Sequence, residues 1–362
     1  NAQSVSNNLW AAATLQNAAP DVLKIVPAHV SQISVVAKDM TAQALSNSLW
    51  AATRLKTAAP TVLKLVPALV DPVCAIAENM NALDVSQSLA AAARLKDSVP
   101  HVLKMVPPLV VQVPVVAEDM NRRLVSDCLW AAAILKEAAP QVIQILPVLG
   151  AKYKLPTNKN AEHVSQGLWL AAHFRKDAPD FLKTVPELVA SVPSVAKNMT
   201  ASEVSTSLWA AENLKESAPE VLEIVPALLS QAIRTTSNMT AENIYSNLLS
   251  LAPFHDSLPE AKSLSLKAVA KFTALLSELT ADEWRVAAPR VVWAFARLGQ
   301  RDEVLLNAVA EHLGARRRYW SLNDWSLCAL LWSYEVLDPE KSFATFQSQL
   351  RKSVKSHGLS EV

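Results

Sequence analysis

The stretch Ser46-Asn-Ser-Leu-Trp-Ala-Ala-Thr-Arg-Leu55 decides the fold because it recurs. Ser6-Asn-Asn-Leu-Trp-Ala-Ala-Ala13 precedes it, versions centred on Trp130, Trp169 and Trp209 follow it, and Ala90 replaces the tryptophan once. Each copy runs on to an Ala-Pro or Val-Pro pair and a second apolar segment. A period of about forty residues marks a supersecondary unit that cannot bury its own apolar face and must stack on copies of itself. The expected fold is all-α, an α-solenoid of about nine helical hairpins. Seven repeats cover 1–279, the first six proline-rich and the seventh transitional, and two divergent repeats of the same array cover 280–362.

Within a unit, the first helix has a legible start. Asn1, Thr41, Asn81, Asn121, Asn160, Thr200, Thr240 and Thr280 are suited to accept from the orphan amides of a first helical turn. Thr200 with Glu203, and Thr280 with Glu283, have capping-box spacing, and Met40, Met80, Met120, Met199 and Met239 stand where a hydrophobic staple requires. Pro20, Pro60, Pro100, Pro140, Pro179 and Pro219 suit the first turn of the second helix. A further proline inside that helix, such as Pro67, predicts a kink or a split in the first six repeats. Gly150 to Lys159 reads as a loop inside the array and not a domain boundary.

Composition narrows the function classes. The 362 residues are 51% hydrophobic, enough for a continuous core, while 5 Gly against 21 Pro disfavours sheets and phosphate-cradling loops. A formal net charge of +1 supplies no whole-molecule attraction for polyanions. Cys74, Cys128 and Cys328 are scattered and odd in number, which predicts free thiols in a reducing compartment. The most apolar stretch, Met105 to Ala117, is too short to span a bilayer and is interrupted by Pro107, Pro108 and Pro114. The chain opens at Asn1 in mid-pattern, which leaves room for a preceding targeting segment or further repeats. The histidines lack ligand spacing, and there is no nucleophile elbow or recurring carboxylate pair. A non-enzyme with no cofactor, metal or small-molecule substrate is expected. Asn198-Met-Thr200 and Asn238-Met-Thr240 match a glycosylation pattern but read as staple and cap.

A helical wheel divides the first helix. Val5, Leu9, Ala12 and Ala13 share one arc, and Asn7, Ala11 and Thr14 line the other. The position of Asn7 continues as Asn47, Gln87, Asp127, Gln166, Thr206 and Ser246, always able to hydrogen-bond. The position of Thr14 continues as Arg54, Arg94, Ile134, His173, Asn213, Pro253 and, in the eighth repeat, Arg297. Between them stands a small residue: Ala51, Ala91, Ala131, Ala210, with Leu170 as the exception. A flat residue between two variable polar ones, offered once per repeat, predicts a seat for one flipped-out base read on its edge. Solubility of an exposed helix face accounts for the same variation. The tryptophans, beside the core arc, are expected to pack between repeats.

Lys56, Lys96, Lys136, Arg175 and Lys215 close the first helices and form a ladder able to track phosphates, or to complement the helix dipole. A second column, Lys24, Lys64, Lys104 and Lys183, is broken by Gln144 and Glu223. Arg316, Arg317 and Arg318 with Tyr319 and Trp320 make the densest basic-aromatic patch, a further phosphate-contact candidate.

Ser46 to Leu55, Val292-Trp-Ala-Phe-Ala-Arg-Leu-Gly299 and Leu331-Trp-Ser-Tyr-Glu-Val-Leu337 resemble the first helix of octotricopeptide repeats and related helical repeats of organellar proteins. That resemblance implies a superhelix that binds RNA in chloroplasts or mitochondria and governs RNA processing, stability, translation or ribosome assembly. The lack of an apolar stretch long enough to span a bilayer adds the expectation of a soluble or peripheral protein without membrane insertion. The competing expectation is a scaffold subunit that binds protein partners in a large organellar assembly, such as a ribosome or a photosynthetic or respiratory complex.

Overall fold

The computed structural model describes residues 1–251, 258–314 and 322–359. Among the described residues every regular element is helical, with no strand. The chain divides into two compact units, 1–154 with 173–181, and 155–172 with 182–362. The division falls inside the Gly150 to Lys159 stretch, which in sequence reads as a loop within one array, and the divergent segments after 279 remain in the second unit.

In the first unit α1 (Ala2–Leu15), α3 (Ala42–Leu55), α5 (Ala82–Leu95) and α7 (Arg122–Leu135) are the first helices of four repeats; α2 (Val26–Val36), α4 (Val66–Ile76), α6 (Val106–Val116) and α8 (Leu146–Lys152) belong to the second. The second unit takes in most of α9 (Ala161–Phe174), then α10 (Val185–Val195), α11 (Ala201–Leu214), α12 (Val225–Thr235), α13 (Ala241–Leu251), α14 (Pro259–Leu275), α15 (Ala281–Arg297), α16 (Glu303–Gly314), α17 (Asp324–Leu337) and α18 (Ala344–Ser356). Contacts are local: α1 packs on α3, α3 on α5 and α5 on α7, and in the second unit α11 on α13, α13 on α15 and α15 on α17. Such neighbour-to-neighbour packing is what a helical repeat produces.

All eight cap residues cap. Asn1 accepts from the Ser4 amide, Thr41 from Ala44, Asn81 from Leu83 and Asp84, Asn121 from Leu124, Asn160 from His163 and Thr240 from Asn243. Thr200 and Thr280 form complete capping boxes with Glu203 and Glu283. The five staple methionines are buried. Asn323 caps α17 in the same way, without any repeat signature before it.

The second helix is split. Ala59, before Pro60, is held at φ −138° and ψ 75°, because the proline ring excludes the helical region for the preceding residue. Pro60–Leu65 then forms a 3-10 helix, α4 starts at Val66 with Pro67 in its first turn, and Ala77–Asn79 closes in a second 3-10 turn. The same sequence of elements recurs around Pro20, Pro100 and Pro219. Pro67 and its equivalents cost little where they stand, since the first turn has no partner for the missing amide.

Two helical stretches, Pro60–Asn79 and Pro100–Asp119, are long and apolar enough to cross a membrane by composition. Each α-helical part has 11 residues, about 16 Å, roughly half a bilayer's hydrocarbon core. Leu69, Val70 and Val73, like Leu109, Val110 and Val113, are at most 2% exposed and pack between helices, while Val111 and Val115 on the opposite side are 72% and 70% exposed.

Candidate functional site

The seam between first helices is built from small residues. Ala51, Ala91, Ala131, Leu170 and Ala210 are all buried, at no more than 1% exposure. The flat middle position read from the wheel is therefore no seat for a ligand. It is where one first helix meets its neighbour, and a methyl group allows the approach. Only Ala11, in the first repeat, is partly open.

Beside these residues runs a ladder that the wheel did not single out. The buried Ser6 hydroxyl donates to the Ala44 carbonyl at 2.9 Å, Ser86 to Leu124 at 3.4 Å and Ser165 to Glu203 at 3.2 Å, while Ser205 donates at 2.8 Å to Ala201 of its own helix and stands 3.5 Å from the Asn243 carbonyl. Ser46 donates instead to the buried Asp84 carboxylate at 2.8 Å. The signal was present in the sequence as a serine recurring four positions before the tryptophan.

The open side of the first helices runs through the positions of Gln3, Asn7, Trp10 and Thr14, shifted toward tryptophan and away from alanine. Asn7 is exposed and accepts from Gln3 Nε2 at 2.9 Å; Asn47, Gln87, Asp127, Gln166, Thr206 and Ser246 are half-buried. Thr14, Arg54 and Arg94 are exposed, and His173 and Asn213 half-buried. Thr14 and Asn213 donate to the carbonyls of Trp10 and Trp209 in their own helices. Trp10 is 46% exposed, and Trp50, Trp130, Trp169 and Trp209 are half-buried. The tryptophans do pack between repeats, with Trp10 and Trp50 centroids 6.3 Å apart, yet they also present indole surface on the same face as the polar columns.

Arginines lie on these indoles. Arg54 stands 5.9 Å from the Trp50 centroid and Arg94 4.4 Å from that of Trp130. Burial lowers the Arg94 pKa and raises that of Asp127, where the nearby Arg123 and Arg94 charges oppose the shift. Arg123 approaches Asp127 to 3.9 Å. The Trp-to-Arg spacing of four residues was the sequence signal for the Arg54 pair, whereas Arg94, with Ala90 at that spacing, reaches a ring of another helix.

The lysine ladder is largely engaged. Lys56 donates to the Arg94 carbonyl at 2.9 Å and Lys136 to the His173 carbonyl at 2.8 Å and to Asp177 at 3.0 Å, while Gln16 makes the corresponding bond to Arg54. Lys96 pairs with Asp97 and Lys215 with Glu212, and Arg175 is half-buried. Lys56 and Lys136, like the neutral Gln16, thus satisfy a late carbonyl of the next repeat's first helix, whereas Lys96 and Lys215 meet carboxylates. Lys24, Lys64, Lys104 and Lys183 are exposed. Arg316, Arg317 and Arg318 lie outside the described residues.

In the second unit the same face changes character. Arg290 occupies the position equivalent to Asn7, three before Trp293, and donates to the Tyr245 hydroxyl at 2.7 Å while lying over the Tyr245 and Trp325 rings. Trp293 meets Trp325 edge-on at 5.8 Å. A cavity of about 820 Å³ opens beside Tyr245 and Arg290, between the start of α13, the end of α14 and the start of α15. Among the described residues no group of three or more metal-ligating side chains converges. No known protein family and no curated protein sequence matches the chain.

Proposed function

We propose that the protein is a non-catalytic α-solenoid of about nine hairpins that grips single-stranded RNA along the open face of its first helices. The observation that carries this reading is the open or half-buried indole at Trp10, Trp50, Trp130, Trp169 and Trp209, flanked by an amide, hydroxyl or guanidinium at fixed spacing. Base stacking on an aromatic ring is worth about 1–3 kcal/mol per base and tolerates any base, while the flanking columns supply edge contacts. The base is thus received by the tryptophan position, and the neighbouring polar residues read it. With the resemblance to organellar helical repeats, the reading extends to RNA processing, stability, translation or ribosome assembly in a chloroplast or mitochondrion.

A scaffold of a large organellar complex is the second reading, favoured by a specific observation. Lys56 and Lys136, placed to follow a phosphate backbone, are occupied by carbonyls, and the net charge is only +1. Binding of the full chain to a random single-stranded RNA pool separates the two. Tight, salt-sensitive, sequence-selective binding whose preference moves when Asn47 and Arg54 are exchanged together supports RNA. Weak binding that is flat with salt overturns it in favour of protein partners.

A further inference from the structure

The cavity where α13, α14 and α15 meet carries chemistry that the packing around it does not use up. Its apolar wall is formed by Leu275 and Leu279 at the end of α14, by Val286 and Ala287 in α15, and by Tyr245 of α13. Val286 is 49% exposed, an apolar side chain left open at the cavity's edge. The volume of about 820 Å³ falls within the ~300–1,000 Å³ of pockets that enclose a whole ligand rather than a single side chain.

Three carboxylates line the same space, Glu242 from α13, Glu278 from the turn after α14 and Glu283 from α15, and all three residues are exposed. Glu283 is committed to the Thr280 capping box. Glu242 and Glu278 have no side-chain hydrogen-bond or ion-pair partner among the described residues. Arg290 is the only cation in the described lining. It donates to the Tyr245 hydroxyl and lies over the Tyr245 and Trp325 rings, so it is tied to the wall and leaves the carboxylates uncompensated.

An apolar wall edged by negative charge repels a phosphate backbone and suits an apolar group flanked by cations. Carboxylates spread over three elements match cations carried along a chain better than a single ammonium. We infer that this cavity is a docking site for a short basic-apolar segment of a protein partner. Leucine-, methionine- or phenylalanine-type side chains seat against Leu275, Leu279 and Val286, and flanking lysines or arginines stand beside Glu242 and Glu278. The site does not depend on the RNA reading, and it gives the divergent repeats a ligand of a different class.

The test is selection of a display library of random peptides on the immobilised full chain, followed by fluorescence anisotropy of the enriched sequences. Enriched peptides are expected to carry Leu, Met or Phe beside Lys or Arg, and to lose affinity as salt rises. Glu242→Lys with Glu278→Lys reverses two exposed charges and is expected to weaken them about tenfold. Val286→Asp changes a side chain already half open to solvent and is expected to weaken them by a similar factor, so either variant carries the test if the other disturbs folding. A library that yields no binder, binders without the basic-apolar pattern, or a patterned peptide that binds both variants as tightly as the wild-type chain overturns the docking site. Labelled oligouridine that displaces the enriched peptide, and itself loses affinity in Val286→Asp, assigns the cavity to RNA and overturns it as well.

Discussion

The junctions α1–α3–α5–α7 and α13–α15–α17 solve one problem in opposite ways. In the first, polar contacts between neighbouring helices are made by short serines inside the buried seam and by lysines at the helix ends. The open face between them is left to tryptophans, amides and arginines. In the second, Tyr245 takes the place of the seam serine, and Arg290, a residue of the open face, reaches across to it. Trp293 and Trp325 close over each other on the same side. The face that regular repeats leave available is thus partly consumed by packing in the divergent ones.

The contrast can be broken from its apolar base upward. Leu49, fully buried in α3, anchors the regular seam, and Leu49→Ala is expected to cost about 2–5 kcal/mol in denaturant unfolding. A loss under 1 kcal/mol would mean that the seam repacks freely. Ser46→Ala removes the donor to a carboxylate that is only 3% exposed and should cost about 1–3 kcal/mol. Tyr245→Phe removes the acceptor for Arg290 while keeping the ring. It should cost about 1 kcal/mol, with the far-UV circular dichroism unchanged. A larger loss would show that the divergent junction depends on this one bond.

Cysteines sharpen the comparison with little perturbation. Cys128, in the seam of α7, is buried and its thiol is pushed up to about 12, whereas Cys328 in α17 is half-buried. A thiol reagent at neutral pH should label Cys328 and spare Cys128 in the native protein, as peptide mapping by mass spectrometry would report. Because the folded state holds the Cys128 proton more tightly than the unfolded state, the thiol's contribution to stability is full below its ordinary value of 9.0. It is lost as pH rises from there to about 12. Cys128→Ser should flatten that alkaline decline.

Most of the helix-capping chemistry was legible in the residues. Each helix start, from Asn1 to Thr280, follows from a cap whose partner lies three positions ahead, and the splitting of the second helix follows from prolines that act on their immediate neighbours. Asn323, the cap of α17, was not singled out from the sequence. The candidate face was only half legible. Its outer columns stand as the wheel placed them, but the residue between them was misjudged: alanine is in the seam and tryptophan is on the face.

The reason is geometric. Periodicity along a helix records one buried arc, whereas each first helix here is also flanked by neighbours whose contacts connect residues 38 apart, such as Ser6 with Ala44. The amino-acid order by itself therefore determined the all-helical repeat, its caps, its proline breaks and its chemical alphabet. Only the tertiary packing decided which strip of each first helix stays open, whether a lysine meets a carbonyl or solvent, and which indole an arginine covers, because those outcomes depend on distances between units and not on spacing within one.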